Sequence, residues 1–170
     1  NEVQHMVELA RNRHLLLMET FQFRFHSQHA VVKELLASGL LGEVRCFRSA
    51  FGFPPFADGV ANIRYQKALG GGALLDAGAY TIKAATFMLR SGEPGVVSSE
   101  SKEFNAEAQG AVTVGGEAFR VKAAALRYVP EHEVDIGGAV YMEHDSGVAI
   151  QTAFGFDNFY QCNYEIWGSK

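Results

Sequence analysis

From Glu2 to Arg13, Val3, Met6, Val7 and Ala10 recur at helical spacing and predict an amphipathic helix. His14 to Phe25 reads as a strand around Leu15-Leu16-Leu17-Met18, a run apolar on both faces, as in strands buried within parallel sheets. A helix followed by such a strand is how a doubly wound α/β domain ends. Residues 1–25 are therefore expected to be the last helix and strand of a Rossmann domain whose earlier part lies outside this sequence.

Beyond this point the pattern changes. Ser27 is placed to cap a short helix with Val31, Val32, Leu35 and Leu36 as its buried stripe and Gly39 as its stop. A strand rich in aromatic and β-branched positions runs from Glu43 to about Phe53, and Pro54-Pro55 breaks it. Residues 56–69 read as an irregular loop. Gly70-Gly71-Gly72 then leads into an apolar, largely buried helix from about Ala73 to Leu89. Residues 91–117, rich in Ser, Glu, Gly and Ala, read as a surface excursion with a weak strand near 111–114. A meander follows, with strands expected at 119–128, 134–143, 147–156 and 159–167 and hairpin turns at Asp145-Ser146-Gly147 and Asp157-Asn158. The expected fold is α+β: an open, mainly antiparallel sheet with helices on one face, filling residues 26–170, after the tail of the α/β domain.

The 170 residues are 48% hydrophobic and 20% charged, with a formal net charge of −4. This is a globular profile without the basic stripe that nucleic-acid binding needs, and without an apolar run long enough for a bilayer or the layout of a signal peptide. Neither nucleic acid nor membrane is an expected partner. Cys46 and Cys162 sit in apolar, strand-like stretches and are read as two buried free thiols of a cytoplasmic protein.

Candidate chemistry gathers at two places. The first is Gly70-Gly71-Gly72-Ala73-Leu74-Leu75-Asp76-Ala77-Gly78-Ala79-Tyr80. Glycines let the backbone turn sharply and approach a ligand. Asp76 and Tyr80, four apart, share a helix face, and an acid beside a phenol could exchange a proton with a substrate hydroxyl. The plainer alternative is that Asp76 stabilises the helix start and Tyr80 packs in the core. The second place is Met18-Glu19-Thr20-Phe21-Gln22-Phe23-Arg24-Phe25-His26, where polar residues leave the end of a buried strand, the usual ligand position in open α/β sheets. Arg24 is either a cofactor or sugar contact or a surface ion pair of little energetic weight. His26 and His29 have no third ligand nearby in sequence, and no metal is expected. In the loop before the glycines, Arg64 is either an anchor for an anionic group such as a diphosphate or a solvated side chain. The aromatics of the meander, Phe154 to Trp167, are core and sheet-face residues or a face that buries itself against another subunit.

The Met18–His26 run, Leu40-Leu41-Gly42-Glu43-Val44, the glycine–Asp–Tyr motif and Trp167-Gly168-Ser169, in this order, resemble the glucose–fructose oxidoreductase / inositol dehydrogenase (Gfo/Idh/MocA) family. The resemblance covers nearly the whole chain outside 91–117. Pro54-Pro55, Ile63-Arg64-Tyr65 and Tyr80 look most like bacterial members that reduce keto groups on nucleotide-linked sugars. It implies an N-terminal domain binding NAD or NADP, and hydride transfer between nicotinamide and a sugar carbonyl or hydroxyl. It also implies a C-terminal sheet that walls the site and assembles homo-oligomers. By position, Asp76 would bind or polarise substrate hydroxyls. Tyr80 would stand where inositol-type members carry a catalytic His. Arg24 would lie near the nicotinamide, with Phe21 and His26 lining the same cleft, and Arg64 and Tyr65 would meet the substrate. Two family features are absent from the sequence, the Gly-x-Gly-x-x-Gly fingerprint and the Glu-Lys-Pro motif, and Lys170 falls where members continue. The chain is therefore expected to be a fragment, incomplete at both ends and inactive alone. The competing expectations are a non-catalytic binding or scaffolding member of the same fold and an unrelated α+β ligand-binding module.

Overall fold

The structure, a computed structural model, describes residues 2–89, 111–114 and 117–170. Its framework is one six-stranded sheet of β1 (Val44–Gly52), β2 (Ala111–Val114), β3 (Glu117–Arg127), β4 (Gly137–His144), β5 (Ala149–Gly155) and β6 (Gln161–Gly168). Three α-helices accompany it: α1 (Glu2–Asn12), α2 (Gln28–Ala37) and α3 (Ala79–Leu89). The strand order is β2-β3-β4-β5-β1-β6. Every neighbouring pair is antiparallel except β1 and β5, which run parallel.

That order corrects the expected meander. β1 lies between β5 and β6, so Asp157-Asn158 is no hairpin turn. The connection steps over the end of β1, where the Phe53 amide donates to Gly155 O at 3.1 Å and the Asn158 amide to Phe53 O at 3.1 Å. Asp145-Ser146-Gly147 does close a hairpin, with Gly147 at φ +83°.

Strand alternation builds the core. Phe47, Val140, Met142, Ile150 and Phe154 face Ala84, Ala85 and Met88 of α3. On the opposite face Ala50, Ala153, Ala139 and Ala125 stand side by side across four strands, and Gly52, Gly155 and Gly137 form the next row, buried beneath the side chains of Asn158 and Arg127. These rows floor a shallow depression of about 380 Å³. Cys46 is buried but Cys162, on edge strand β6, is exposed, contrary to expectation; both are free thiols.

Two segments depart further from the sequence expectation. Residues 15–21 form no strand, and Leu16 is 89% exposed. A both-faces-apolar strand exists only between neighbours, and the described residues offer none. α1 forms as expected but buries no residue. In α2, Val31 and Leu35 are exposed, and the buried residue is His29. Ser27 does not cap α2: its backbone is already helical, whereas a capping residue needs an extended one. His26, at ψ 130°, takes that place, its Nδ1 accepting from the Gln28 amide at 3.2 Å. The excursion expected at 91–117 lies outside the described residues, apart from β2 and the first residue of β3. Among the described residues no helix is long and apolar enough to cross a membrane.

Candidate active site

The site is built on the turn 70–73. Gly70 and Gly72 adopt φ +74° and +123°, a region that side chains disfavour. The Gly72 amide donates to Arg64 O at 2.8 Å, and a Cβ on Gly71 would stand 2.5 Å from that same oxygen. The loop 62–65 and the glycine turn thus lie backbone against backbone, and only glycine permits that approach.

Beyond the turn, residues Leu74–Gly78 form a π turn that runs into α3, with the Gly78 amide bonding to Ala73 O at 2.8 Å. Such single π turns concentrate at functional sites. Gly78 supplies the space: a Cβ there would press at 3.2 Å on the Phe154 ring.

The π turn carries Asp76, whose Oδ2 accepts from Arg64 Nε at 2.5 Å. The Arg64 guanidinium lies over the Phe56 ring, 4.9 Å from its centre, and the Arg64 amide is capped by Asn62 Oδ1 at 3.0 Å. Arg64 and Asp76, separate candidates in the sequence, are therefore one unit. Tyr80 has a different partner. Its hydroxyl donates to Gln22 Oε1 at 2.9 Å, and Phe21 packs edge-on against its ring at 5.1 Å between centres. The helix of the glycine motif and the segment 21–25 thus meet at Tyr80, joining the two places marked in the sequence.

The remaining candidates are distributed around this centre. Phe21 is buried, and His26 is exposed. The Arg24 guanidinium lies 5.5 Å from the Phe87 ring centre, and its Nε is buried with no hydrogen-bond partner among the described residues. Tyr65 is a core residue, stacked on His132 with ring centres 4.2 Å apart and edge-on to Phe156. Its ring supports the loop from behind rather than standing open beside Arg64. His29, 3% exposed, shares its Nδ1 with the Tyr164 hydroxyl at 2.9 Å. Burial, with help from His26 and Lys33, pushes its pKa down. Among the described residues no three His, Cys, Asp or Glu side chains gather to hold a metal ion.

Gln22 is one of the polar residues of the Met18–His26 run, and nothing in the sequence singles it out from Glu19, Arg24 and His26. Asp135 enters from the β3–β4 connection, and nothing local marks it.

An open, mainly antiparallel sheet with one helical face carries a glycine turn that places Asp76 and Tyr80 at the start of α3. Residues 29–170 match the GFO/IDH/MocA C-terminal domain model, and the chain belongs to that family. Over 170 residues it is 36% identical to the dTDP-3,4-didehydro-2,6-dideoxy-alpha-D-glucose 3-reductase of Saccharopolyspora spinosa, covering all of this chain and 43% of that protein. It is 35% identical over 168 residues to the enzyme of the same name from Actinomadura kijaniata, covering 99% of this chain and 42% of that one. The crystal structure of KijD10, a 3-ketoreductase from Actinomadura kijaniata in complex with NADP and TDP-benzene, superposes with a TM-score of 0.76 at 34% identity, covering 98% of this chain and 42% of the other. The chain thus spans less than half the length of the relatives it matches.

Proposed function

We propose that this chain is the substrate-binding and self-associating part of an NAD(P)-dependent reductase acting on a keto group of a nucleotide-linked sugar. The observation that carries the reading is the pair of polar contacts at one helix start, Arg64 with Asp76 and Tyr80 with Gln22.

Hydride addition to a carbonyl carbon leaves negative charge on the oxygen, which a proton donor must meet. The Tyr80 hydroxyl is that donor. Its present acceptor, the neutral amide oxygen of Gln22, is one a substrate oxygen can replace. Asp76, held in place by Arg64, accepts from neighbouring sugar hydroxyls. Arg64 commits Nε to Asp76, but its guanidinium has further N–H donors and the side chain is 39% exposed, which suits it to a diphosphate.

A nicotinamide dinucleotide fits the other side of this cluster. The Arg24 Nε, buried and without a hydrogen-bond partner among the described residues, is a donor suited to an acceptor such as an amide or phosphate oxygen. Phe21 and His26 flank it in sequence. When bound, the nicotinamide supplies or accepts the hydride. Most of its contacts would come from an N-terminal domain, to which α1 and the apolar run 15–18 belong; an adjacent sheet there would also account for their exposure. We further place self-association on the sheet face where Ala125, Ala139 and Ala153 are exposed side by side, small side chains that suit sheet-on-sheet contact, and the protein in the cytoplasm.

The test uses the full-length protein with NADPH and a dTDP-linked keto sugar. Tyr80→Phe is expected to lower kcat about 100- to 1,000-fold, with the Kd for NADPH unchanged. Full activity in that variant would remove Tyr80 from the chemistry. Cofactor binding without turnover by the unmodified protein would favour a binding subunit instead.

A further inference from the structure

The Gly71–Ala73 turn is clamped from two sides, with the loop 62–65 on one. On the other lies Asp135, from the connection between β3 and β4, 8% exposed and flanked by buried Val134 and Ile136. Its main-chain oxygen accepts from the Ala73 amide at 2.8 Å, and its Oδ2 accepts from the Leu74 amide at 2.7 Å. The first amides of a helix have no acceptor within it. Here one residue, distant in sequence, serves two of them. Its Oδ1 occupies the space beside Gly72, 2.5 Å from where a Cβ would stand. Asp135 is itself fixed to the sheet through Ile136, whose amide donates to Arg127 O and whose oxygen accepts from the Phe156 amide, both at 2.8 Å.

We propose that Asp135 is a positioning residue for Asp76. It ties the start of the π turn to the sheet, while Arg64 O ties the turn to the loop 62–65. Together they fix where the Asp76 carboxylate stands relative to the Arg64 guanidinium. The Asp76 amide bonds to Gly72 O at 3.2 Å, so a displaced turn carries Asp76 with it. The buried carboxylate also lies at the positive end of the helix. Asp135→Asn keeps an acceptor for the Leu74 amide, and Asp135→Ala removes it.

The consequence for activity rests on the function proposed above; the geometric consequence does not, and the two are measured separately. In the full-length protein, Asp135→Ala is expected to lower kcat with NADPH and a dTDP-linked keto sugar about 10- to 100-fold. Asp135→Asn should recover most of the loss. In a cycle with Asp76→Ala, the double variant should be no slower than Asp76→Ala alone. Losses that multiply would overturn the proposal. Without any substrate, the carboxyl ¹³C resonance of Asp76 should shift on Arg64→Ala in the wild-type background and stay unmoved by it in the Asp135→Ala background. An unchanged Arg64 effect in that background overturns the proposal whatever the enzyme acts on. Should Asp135→Ala fail to fold, Asp135→Ser shortens the side chain away from the Leu74 amide with the glycine turn and Asp76 intact. It is expected to move the Asp76 resonance, and an unmoved resonance is equally decisive against the proposal.

Discussion

Residues 2–20 and the sheet with α3 are comparable in apolar content and opposite in what they do with it. The first segment holds Val3, Met6, Val7, Leu9 and the run Leu15 to Met18, all exposed. The second drives Phe47, Phe119, Ile150 and Phe156 to essentially zero exposure. Apolar sequence therefore marks where burial is required without saying what provides it. The sheet and α3 bury each other, whereas none of residues 2–20 is buried among the described residues, a surface of the kind that marks an interface.

The largest effect that would sharpen this contrast is in the core. Phe156→Ala should cost about 3–5 kcal/mol, read from denaturant midpoints of the 170-residue chain; a cost near zero would mean the core is not cooperative. Leu16→Ala in the same chain should stay within about 0.5 kcal/mol, but in the full-length protein should cost about 2–5 kcal/mol. Equal, small effects in both would break the idea that an adjoining domain covers this segment. Next, the isolated chain should show no saturable micromolar binding of NADPH by calorimetry while the full-length protein does. Saturable binding by the chain would place the cofactor site wholly within it. The smallest effect concerns His29, at the seam between the two regions. Its folded pKa lies below the unfolded value near 6.5, so between the two the unfolded chain binds more protons and stability rises with pH. The contribution is complete above about pH 6.5 and is lost as pH falls from there toward the folded pKa. His29→Phe should flatten that part of the stability profile, and an unaltered profile would assign it to other groups.

How much of this was legible in the sequence follows from how local each signal is. The alternation Ala149-Ile150-Gln151-Thr152-Ala153-Phe154 and the apolar run of α3 announce elements whose faces are set by their own residues. The glycine–Asp–Tyr motif is likewise contiguous, and the structure shows why the glycines are needed. Position within the sheet is not local: nothing in β1 states that it pairs in parallel with β5. Arg64 and Asp76 were read as separate candidates because their ion pair depends on the turn between them. Asp135 and Gln22 act through partners distant in sequence, and His29, which in sequence is half of a histidine pair, owes its burial to Phe23, Phe87 and Tyr164. Leu15 to Met18 show the converse: a run apolar on both faces predicts a strand, and residues 15–21 form none.

The place of β1 has a consequence in time. As the chain leaves the ribosome, β1 emerges roughly a hundred residues before the two strands that flank it, so it can form neither ladder until residues 149–168 have been made. β3, β4 and β5 can zip as successive hairpins meanwhile, leaving the edge of β5 open until β1 docks. The order of events is thus set by topology: a local hairpin sheet first, then capture of an early strand, and last β6 along its far edge.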